Sequence, residues 1–367
     1  MNKFLELALA GVQQLVPYVP GKPVEELRRE LGLTEIVKLA SNENPLGTGG
    51  KVAAAIAAAL PELTRYPDGS GFSLKTALSA KLGVGPEQIT LGNGSSEILE
   101  LLARTFVTPA QEVVFSQHAF ALYPILTQAV GAKAKIAPAK NYGHDLAAMQ
   151  ALISGDTRLV FIANPNNPTG TLLPKPELED FIAALPSHVL CVLDEAYFEF
   201  VQAEHEIDTI GWTHKYPNLI VARTFSKAYG LAGLRIGYGI SSPDIGDLLN
   251  RVRQPFNCNL LALAAAEAAL GDADYLRQTL AVNNAGMQQL TAAFQNLGLA
   301  WIPSAGNFVS VDVQGPALPF YEALLRKGVI VRPIANYEMP SHLRVSIGTA
   351  RENQLFIDAL GQVLRGV

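Results

Sequence analysis

Thr224-Phe-Ser-Lys-Ala-Tyr-Gly-Leu-Ala-Gly-Leu-Arg235 follows an apolar, β-rich run at 219–222, and this passage from strand to polar, glycine-spaced loop decides how the chain is read. In open α/β sheets, ligands sit at the carboxyl ends of strands, where such loops lie. The same layout recurs upstream. From 89 to 241, short apolar runs at 89–91, 113–116, 134–137, 159–163, 189–193, 219–222 and 236–240 alternate with helical patterns. Apart from Lys135 they are near-continuously apolar rather than alternating, which fits strands covered on both faces. The predicted fold class is α/β, a mostly parallel sheet of about seven strands between helices.

Beyond Pro243 the texture changes to helical patterns at 260–270 and 275–297, strands at 308–313, 329–331 and 343–347, and closing helices at 321–327 and 352–364. This is a small α+β domain. At the other end, Pro17-Tyr-Val-Pro-Gly-Lys-Pro23 is an extended piece before a short helix at 24–31. The expected division is an N-terminal arm at 1–40 that joins the small domain, a large cofactor-binding domain at 41–250 and a small C-terminal domain at 251–367.

Composition narrows the function. A net charge of −5 over 367 residues offers no basic footprint for nucleic acid and no polybasic patch for a membrane surface, so any anion must be held by individually placed arginines. The longest apolar run, 52–60, is far short of the roughly 20 residues that span a bilayer. Glu6 interrupts the apolar start and no small-residue cleavage site follows, which argues against export. Cys191 and Cys258 form no C-x-x-C pair, and no histidines stand at metal-ligand spacing. Reduced, buried thiols, a cytoplasmic address and no metal are expected.

In the opening stretch, Lys227 can hold an aldehyde as a Schiff base, while Thr224, Ser226 and Arg235 offer two hydroxyls and a guanidinium fork to a phosphate. A phosphorylated aldehyde of this kind is pyridoxal 5′-phosphate. Gly230, Gly233 and Gly237 permit positive φ and close backbone approach. By itself the stretch also reads as a basic turn closing a buried strand, so the other motifs must decide. Gly92-Asn-Gly-Ser-Ser-Glu97 opens a helical pattern with Ser95 and Ser96 in its first turn, where backbone amides and the helix dipole favour an anion. Asn164-Pro-Asn-Asn-Pro-Thr-Gly170 constrains the backbone at two Asn-Pro steps, one of them a candidate for the cis form, and offers the Asn167 amide as a donor to a ligand oxygen. Asp194 ends an apolar strand, the right place for a carboxylate that keeps a pyridine nitrogen protonated. Tyr197, three residues on, is placed to meet the ring hydroxyl, and Phe120 supplies a flat ring to stack on the pyridine face.

Taken in chain order, these motifs resemble the fold-type I aminotransferases over most of the chain, and imply an aspartate-aminotransferase-like large domain with a small α+β domain. The resemblance implies that Lys227 carries the cofactor, that Asp194 pairs with its ring nitrogen, and that Asn167 and Tyr197 bind its ring oxygen. Ser95, Ser96, Thr224, Ser226 and Arg235 then surround the phosphate and Phe120 stacks. In this family Tyr66 would reach the phosphate of the neighbouring subunit's cofactor, implying a homodimer with shared sites. Leu39-Ala-Ser-Asn-Glu-Asn-Pro-Leu-Gly47, Arg65-Tyr-Pro-Asp68, Gly328-Val-Ile-Val-Arg332 and Leu343-Arg-Val-Ser-Ile-Gly-Thr349 are similar to the histidinol-phosphate branch, which implies substrate contacts for Tyr18 and Asn42. Chemistry agrees with an anionic substrate. Histidinol phosphate has no carboxylate, so its phosphate and the 2-oxoglutarate carboxylate must share one cationic end, and Arg344 with Arg332 on a neighbouring strand can serve both. Lys227 would be displaced by the substrate amine and would then move the α-proton. The competing expectations are an aromatic or broad-specificity aminotransferase, a phosphothreonine decarboxylase, and a catalytically silent binding module.

Overall fold

In the computed structural model, which describes residues 3–366, the seven apolar runs form one sheet. Its strands are β1 (Ile89–Gly92), β2 (Glu112–Ser116), β3 (Lys133–Ala137), β4 (Thr157–Ala163), β5 (Leu190–Asp194), β6 (Leu219–Thr224) and β7 (Gly237–Ile240). Their spatial order is β1-β7-β6-β5-β4-β2-β3. The five strands β2 to β6 pair in parallel, and β7 is antiparallel to both of its neighbours. The reason the strands read as unbroken apolar runs is visible in where successive side chains go. Val160 and Ile162 of β4 enter the core on one face, while Leu159, Phe161 and Ala163 enter the core on the other; Cys191 and Leu193 of β5 and Val192 divide in the same way. Only the edge strand β3 departs, with Ile136 exposed and Lys133 and Lys135 on a rim that charge keeps from pairing with another chain.

A second, antiparallel sheet is built from β8 (Trp301–Ile302), β9 (Phe308–Asp312), β10 (Arg332–Pro333) and β11 (His342–Ser346), in the order β8-β9-β11-β10. Val309, Val311, Leu343 and Val345 on its inner face pack with Leu290 and Phe294 of the long helix Ala273–Asn296 and with Phe356 and Leu360 of the helix Ala350–Leu364. Asp272 caps the long helix by accepting from the Tyr275 amide. The preceding helix, Leu260–Leu270, buries Ala262, Ala265, Ala266 and Ala269 in the core of the large sheet. Near the N-terminus Val37–Lys38 pairs in parallel with Val329–Ile330 as a separate two-stranded sheet, and the Ser346 amide of β11 donates to the Leu39 carbonyl, tying the early chain to the small sheet.

The arm also rests on the large sheet's own helices. The turn of helix Ala10–Gln13 packs on Leu122–Ala129 so closely that a Cβ on Gly11 would collide with the Gln128 carbonyl oxygen. Cys191 and Cys258 are buried and unpaired. No helix among the described residues is long and apolar enough to cross a membrane.

Candidate active site

The carboxyl ends of β4, β5 and β6 open into a cavity of about 170 Å³. Thirteen of the residues singled out from the sequence line it: Tyr18, Asn42, Ser95, Ser96, Phe120, Asn167, Asp194, Tyr197, Thr224, Ser226, Lys227, Arg235 and Arg344. Parallel strands explain the convergence. Asn167, Asp194 and Thr224 each lie at or just past the end of adjacent strands, so residues far apart in sequence fall side by side.

At one end the groups suit a phosphate. Thr224 Oγ1 lies 3.0 Å from Ser226 Oγ, and Arg235 Nη1 donates to the same Ser226 Oγ at 3.3 Å. Gly94 precedes the helix Ser95–Phe106 with φ 81°, and any Cβ there would strike the Arg235 guanidinium. The glycine lets the cation cross the start of the helix, where the dipole is positive. Of the loop glycines, Gly230 takes positive φ (71°), Gly237 is required because a Cβ would meet the Ser95 amide nitrogen, and Gly233 faces open space. Both Asn164–Pro165 and Asn167–Pro168 are cis.

At the other end two titratable groups are pushed in opposite directions. Burial raises the Asp194 carboxyl to about 6, opposed by the hydrogen bond from the Tyr123 hydroxyl and then by the nearby Ala196 amide dipole. Burial, then the nearby Arg344 cation, lowers the Lys227 amine to about 8. Asp194 Oδ2 accepts from Tyr123 Oη at 2.9 Å, while Oδ1 is buried with no hydrogen-bond partner among the described residues. Lys227 Nζ donates to the Ser41 carbonyl at 3.1 Å.

The short segment 40–42 ties these groups to the small sheet. Arg344 donates from Nη1 to Asn167 Oδ1 at 2.6 Å and from Nη2 to the Ala40 carbonyl at 2.7 Å. Because a guanidinium only donates, this fixes the Asn167 amide and leaves its Nδ2 as the donor still on offer. Asn42, held at φ 55°, donates from Nδ2 to Tyr197 Oη at 2.9 Å, and its own backbone is gripped by Ser346 and Asn307 of the small domain. Burial pushes the Tyr197 phenol up to about 12, so it stays protonated.

Two expected residues lie outside this cavity. Tyr66 is 82% exposed and stacks on Phe256, with centroids 4.6 Å apart. Arg332 pairs in register with Arg344 across β10 and β11, but donates to the Val19 carbonyl at 2.6 Å and sits 5.5 Å from the Tyr18 ring. Two residues were missed. Ser41 contributes a carbonyl, which no side-chain pattern reveals. Tyr123 was open to notice as a tyrosine three residues past Phe120 on an apolar helix face, since a buried phenol needs a partner.

The profile of the family described as aminotransferase class I and II matches residues 34–360. The chain belongs to the class I and II aminotransferases. Among relatives of this aminotransferase, histidinol-phosphate aminotransferase 2 of Pseudomonas fluorescens is 61% identical over 363 residues, covering 98% of each chain. The protein of the same name from Pseudomonas aeruginosa is 59% identical over 366 residues, covering 99% of each. Among solved structures, histidinol-phosphate aminotransferase from Sinorhizobium meliloti in complex with pyridoxal-5′-phosphate has a TM-score of 0.91 at 32% identity, with 97% of each chain covered. A Thermus thermophilus aspartate aminotransferase, 24% identical with a TM-score of 0.85, shares the fold of this aminotransferase.

Proposed function

We infer that the protein transfers the amino group between L-histidinol phosphate and 2-oxoglutarate, giving imidazole-acetol phosphate and L-glutamate, a step of histidine biosynthesis that uses pyridoxal 5′-phosphate. The observation that carries this is the 61% identity, over nearly the whole of both chains, to a histidinol-phosphate aminotransferase. The cavity fits the cofactor: it offers an orphaned carboxylate oxygen on Asp194, a cup of hydroxyls beside Arg235, and an amine on Lys227. When bound, the cofactor supplies an aldehyde carbon for amine exchange and a ring that delocalises the charge left at the substrate α-carbon.

The chain's own groups do the rest. Ser95, Ser96, Thr224, Ser226 and Arg235 hold the phosphate, Phe120 lies against the ring, and Asn167 Nδ2 with Tyr197 Oη binds the ring oxygen. Asp194 keeps a proton at the ring nitrogen by remaining ionised. Arg344, assisted from its edge by Arg332 and Tyr18, receives the substrate's anionic end, with Asn42 at the pocket wall. Lys227 Nζ yields its place to the substrate amine and then carries the α-proton. With its amine lowered to about 8, an appreciable neutral fraction exists near neutral pH.

The working unit in this reading is a cytoplasmic homodimer, with an arm at 1–40, a large domain at 41–250 and a small domain at 251–367. Leu63, Tyr66 and Phe72 are all more than half exposed, and together with Phe256 form apolar surface suited to a partner subunit. Tyr66 would then complete the neighbour's phosphate site. Mixing Lys227→Ala with Tyr66→Phe subunits tests this: hybrid dimers regain one intact site, restoring about a quarter of wild-type sites in an even mixture. No regain means Tyr66 acts within its own chain or not at all.

The substrate is tested by single-turnover reaction of the cofactor-loaded protein with histidinol phosphate, phenylalanine and phosphothreonine at equal concentration. A rate at least about tenfold higher with histidinol phosphate is expected. Equal or faster reaction with phenylalanine would move the protein to the aromatic branch.

A further inference from the structure

Tyr123 is completely buried beside the cavity without lining it. Its ring is held from three directions: stacked on Phe161 of β4 (centroids 4.7 Å, 6° between planes), tilted against Phe115 of β2 at 6.4 Å, and edge-on to Phe120 at 5.9 Å. With the ring so fixed, the hydroxyl has one place to go, 2.9 Å from Asp194 Oδ2. Burial keeps this phenol well above its usual range, so it donates and does not ionise. The carboxylate is therefore asymmetric. Oδ2 is occupied by a permanent donor, while Oδ1 is buried with no partner among the described residues, and Asp194 lines the cavity.

We propose that Tyr123 is a positioning residue of the transamination site: its hydroxyl pins Oδ2 of Asp194 and so presents Oδ1, ionised and in a fixed orientation, to the ring nitrogen of the cofactor. The proposal rests on the reading of this cavity as a pyridoxal-phosphate site. A carboxylate moved out of water favours its neutral form, and a neutral Asp194 would not hold a proton on the ring nitrogen. A phenol O–H to carboxylate bond opposes that shift and removes the freedom of the carboxyl group to rotate. The other titratable groups that bear on Asp194 include its neighbour Glu195, which raises it, Lys227 across the cavity, which lowers it, and the Tyr197 phenol, which Asp194 itself helps to keep protonated. Through its edge contact with Phe120, Tyr123 also braces the ring that would lie against the cofactor.

A core tyrosine whose hydroxyl merely found a partner would have the same contacts, so the test removes the hydroxyl and keeps the ring. Tyr123→Phe and wild type, both loaded with pyridoxal phosphate, are compared by the saturating rate of the first half-reaction, the KM for histidinol phosphate, and the pH titration of the bound cofactor's absorbance. For Tyr123→Phe a drop of about tenfold in the saturating rate is expected, with KM within about twofold and a displaced spectral titration, because a charge-assisted hydrogen bond has been removed from a group that acts on the ring. Wild-type rate and titration in Tyr123→Phe would overturn the proposal and leave Tyr123 as packing alone. The outer reading fails separately: a wild-type protein that takes up no pyridoxal phosphate, with absorbance indifferent to Lys227→Ala, overturns the cofactor assignment before Tyr123 is changed. Tyr123→Leu, which also removes the ring, is expected to lose stability in addition to rate, and only the rate loss is shared with Tyr123→Phe.

Discussion

Replacing Lys227 by methionine in the cofactor-free protein should make the fold more stable at neutral pH while abolishing activity. The amine falls from 10.5 in a solvated chain to about 8 in the folded state, chiefly through burial and then through the Arg344 cation. The unfolded chain therefore binds this proton more tightly than the folded one, and the charged amine opposes folding. The opposition is fully present below about pH 8 and fades as pH rises to 10.5, where the unfolded chain also releases the proton. A gap of 10.5 − 8 = 2.5 pH units, at about 1.36 kcal/mol per unit, makes the penalty about 3 kcal/mol at pH 7 and less than about 1 kcal/mol at pH 10.5. Methionine carries no such penalty. It also loses the Lys227 bond to the Ser41 carbonyl and gains apolar burial, but these contributions do not vary strongly with pH. Lys75 and Lys81, also lowered by burial, are common to both proteins and cancel in the difference. Equilibrium urea unfolding of both cofactor-free proteins at pH 7, 8.5 and 10.5 gives the measurement. A stability difference that is flat across this range, or a wild type that is the more stable at pH 7, would refute the reasoning.

Three further perturbations follow from the same geometry. Glu195 and Arg223, nearly inaccessible at 3% and 6% side-chain exposure and 2.8 Å apart, form a buried pair at the ends of β5 and β6. Glu195→Ala strands the guanidinium and should cost about 3–5 kcal/mol in urea unfolding, whereas Glu195→Gln, whose single amide oxygen can still accept from Arg223 while its Nε2 donates to the Thr209 hydroxyl, should cost clearly less. Arg344→Lys loses the fork that spans Asn167 and the Ala40 carbonyl, and steady-state kinetics should show kcat/KM for histidinol phosphate down about 10- to 100-fold with the fold retained. Gly11→Val pushes the arm off Gln128, and because Tyr18 and Val19 meet Arg332 through that arm, KM for the phosphorylated substrate should rise several-fold (on the order of 1 kcal/mol) while the cofactor absorbance is unchanged.

The seven strands of the large sheet lie within two residues of where the apolar runs place them, and the helices 24–31 and 260–270 match their observed bounds. These were legible because two-sided burial demands uninterrupted apolar strands, and because the polar residues that follow them are then forced to the carboxyl edge. Lys227, Asp194, Asn167 and Ser95 were readable for the same reason: each is tied to the end of its own strand by a few residues of chain. What the linear sequence lacks is any record of which distant group meets which. The Arg344 bridge to Asn167 spans 177 positions, the Asn42 bond to Tyr197 spans 155, and the Tyr123 bond to Asp194 spans 71. Ser41 acts through its carbonyl, identical in every residue type, and Arg332 is drawn to the arm instead of into the cavity. Sequence alone thus determined the sheet and the placing of Lys227, Asp194, Asn167 and Ser95 near the strand ends, because local burial patterns encode where strands stop. Which oxygen of Asp194 takes the Tyr123 hydrogen bond, and which backbone atoms hold Arg344 and Lys227, was decided only when the arm, the large sheet and the small sheet packed together, since those are contacts between segments that share no local pattern.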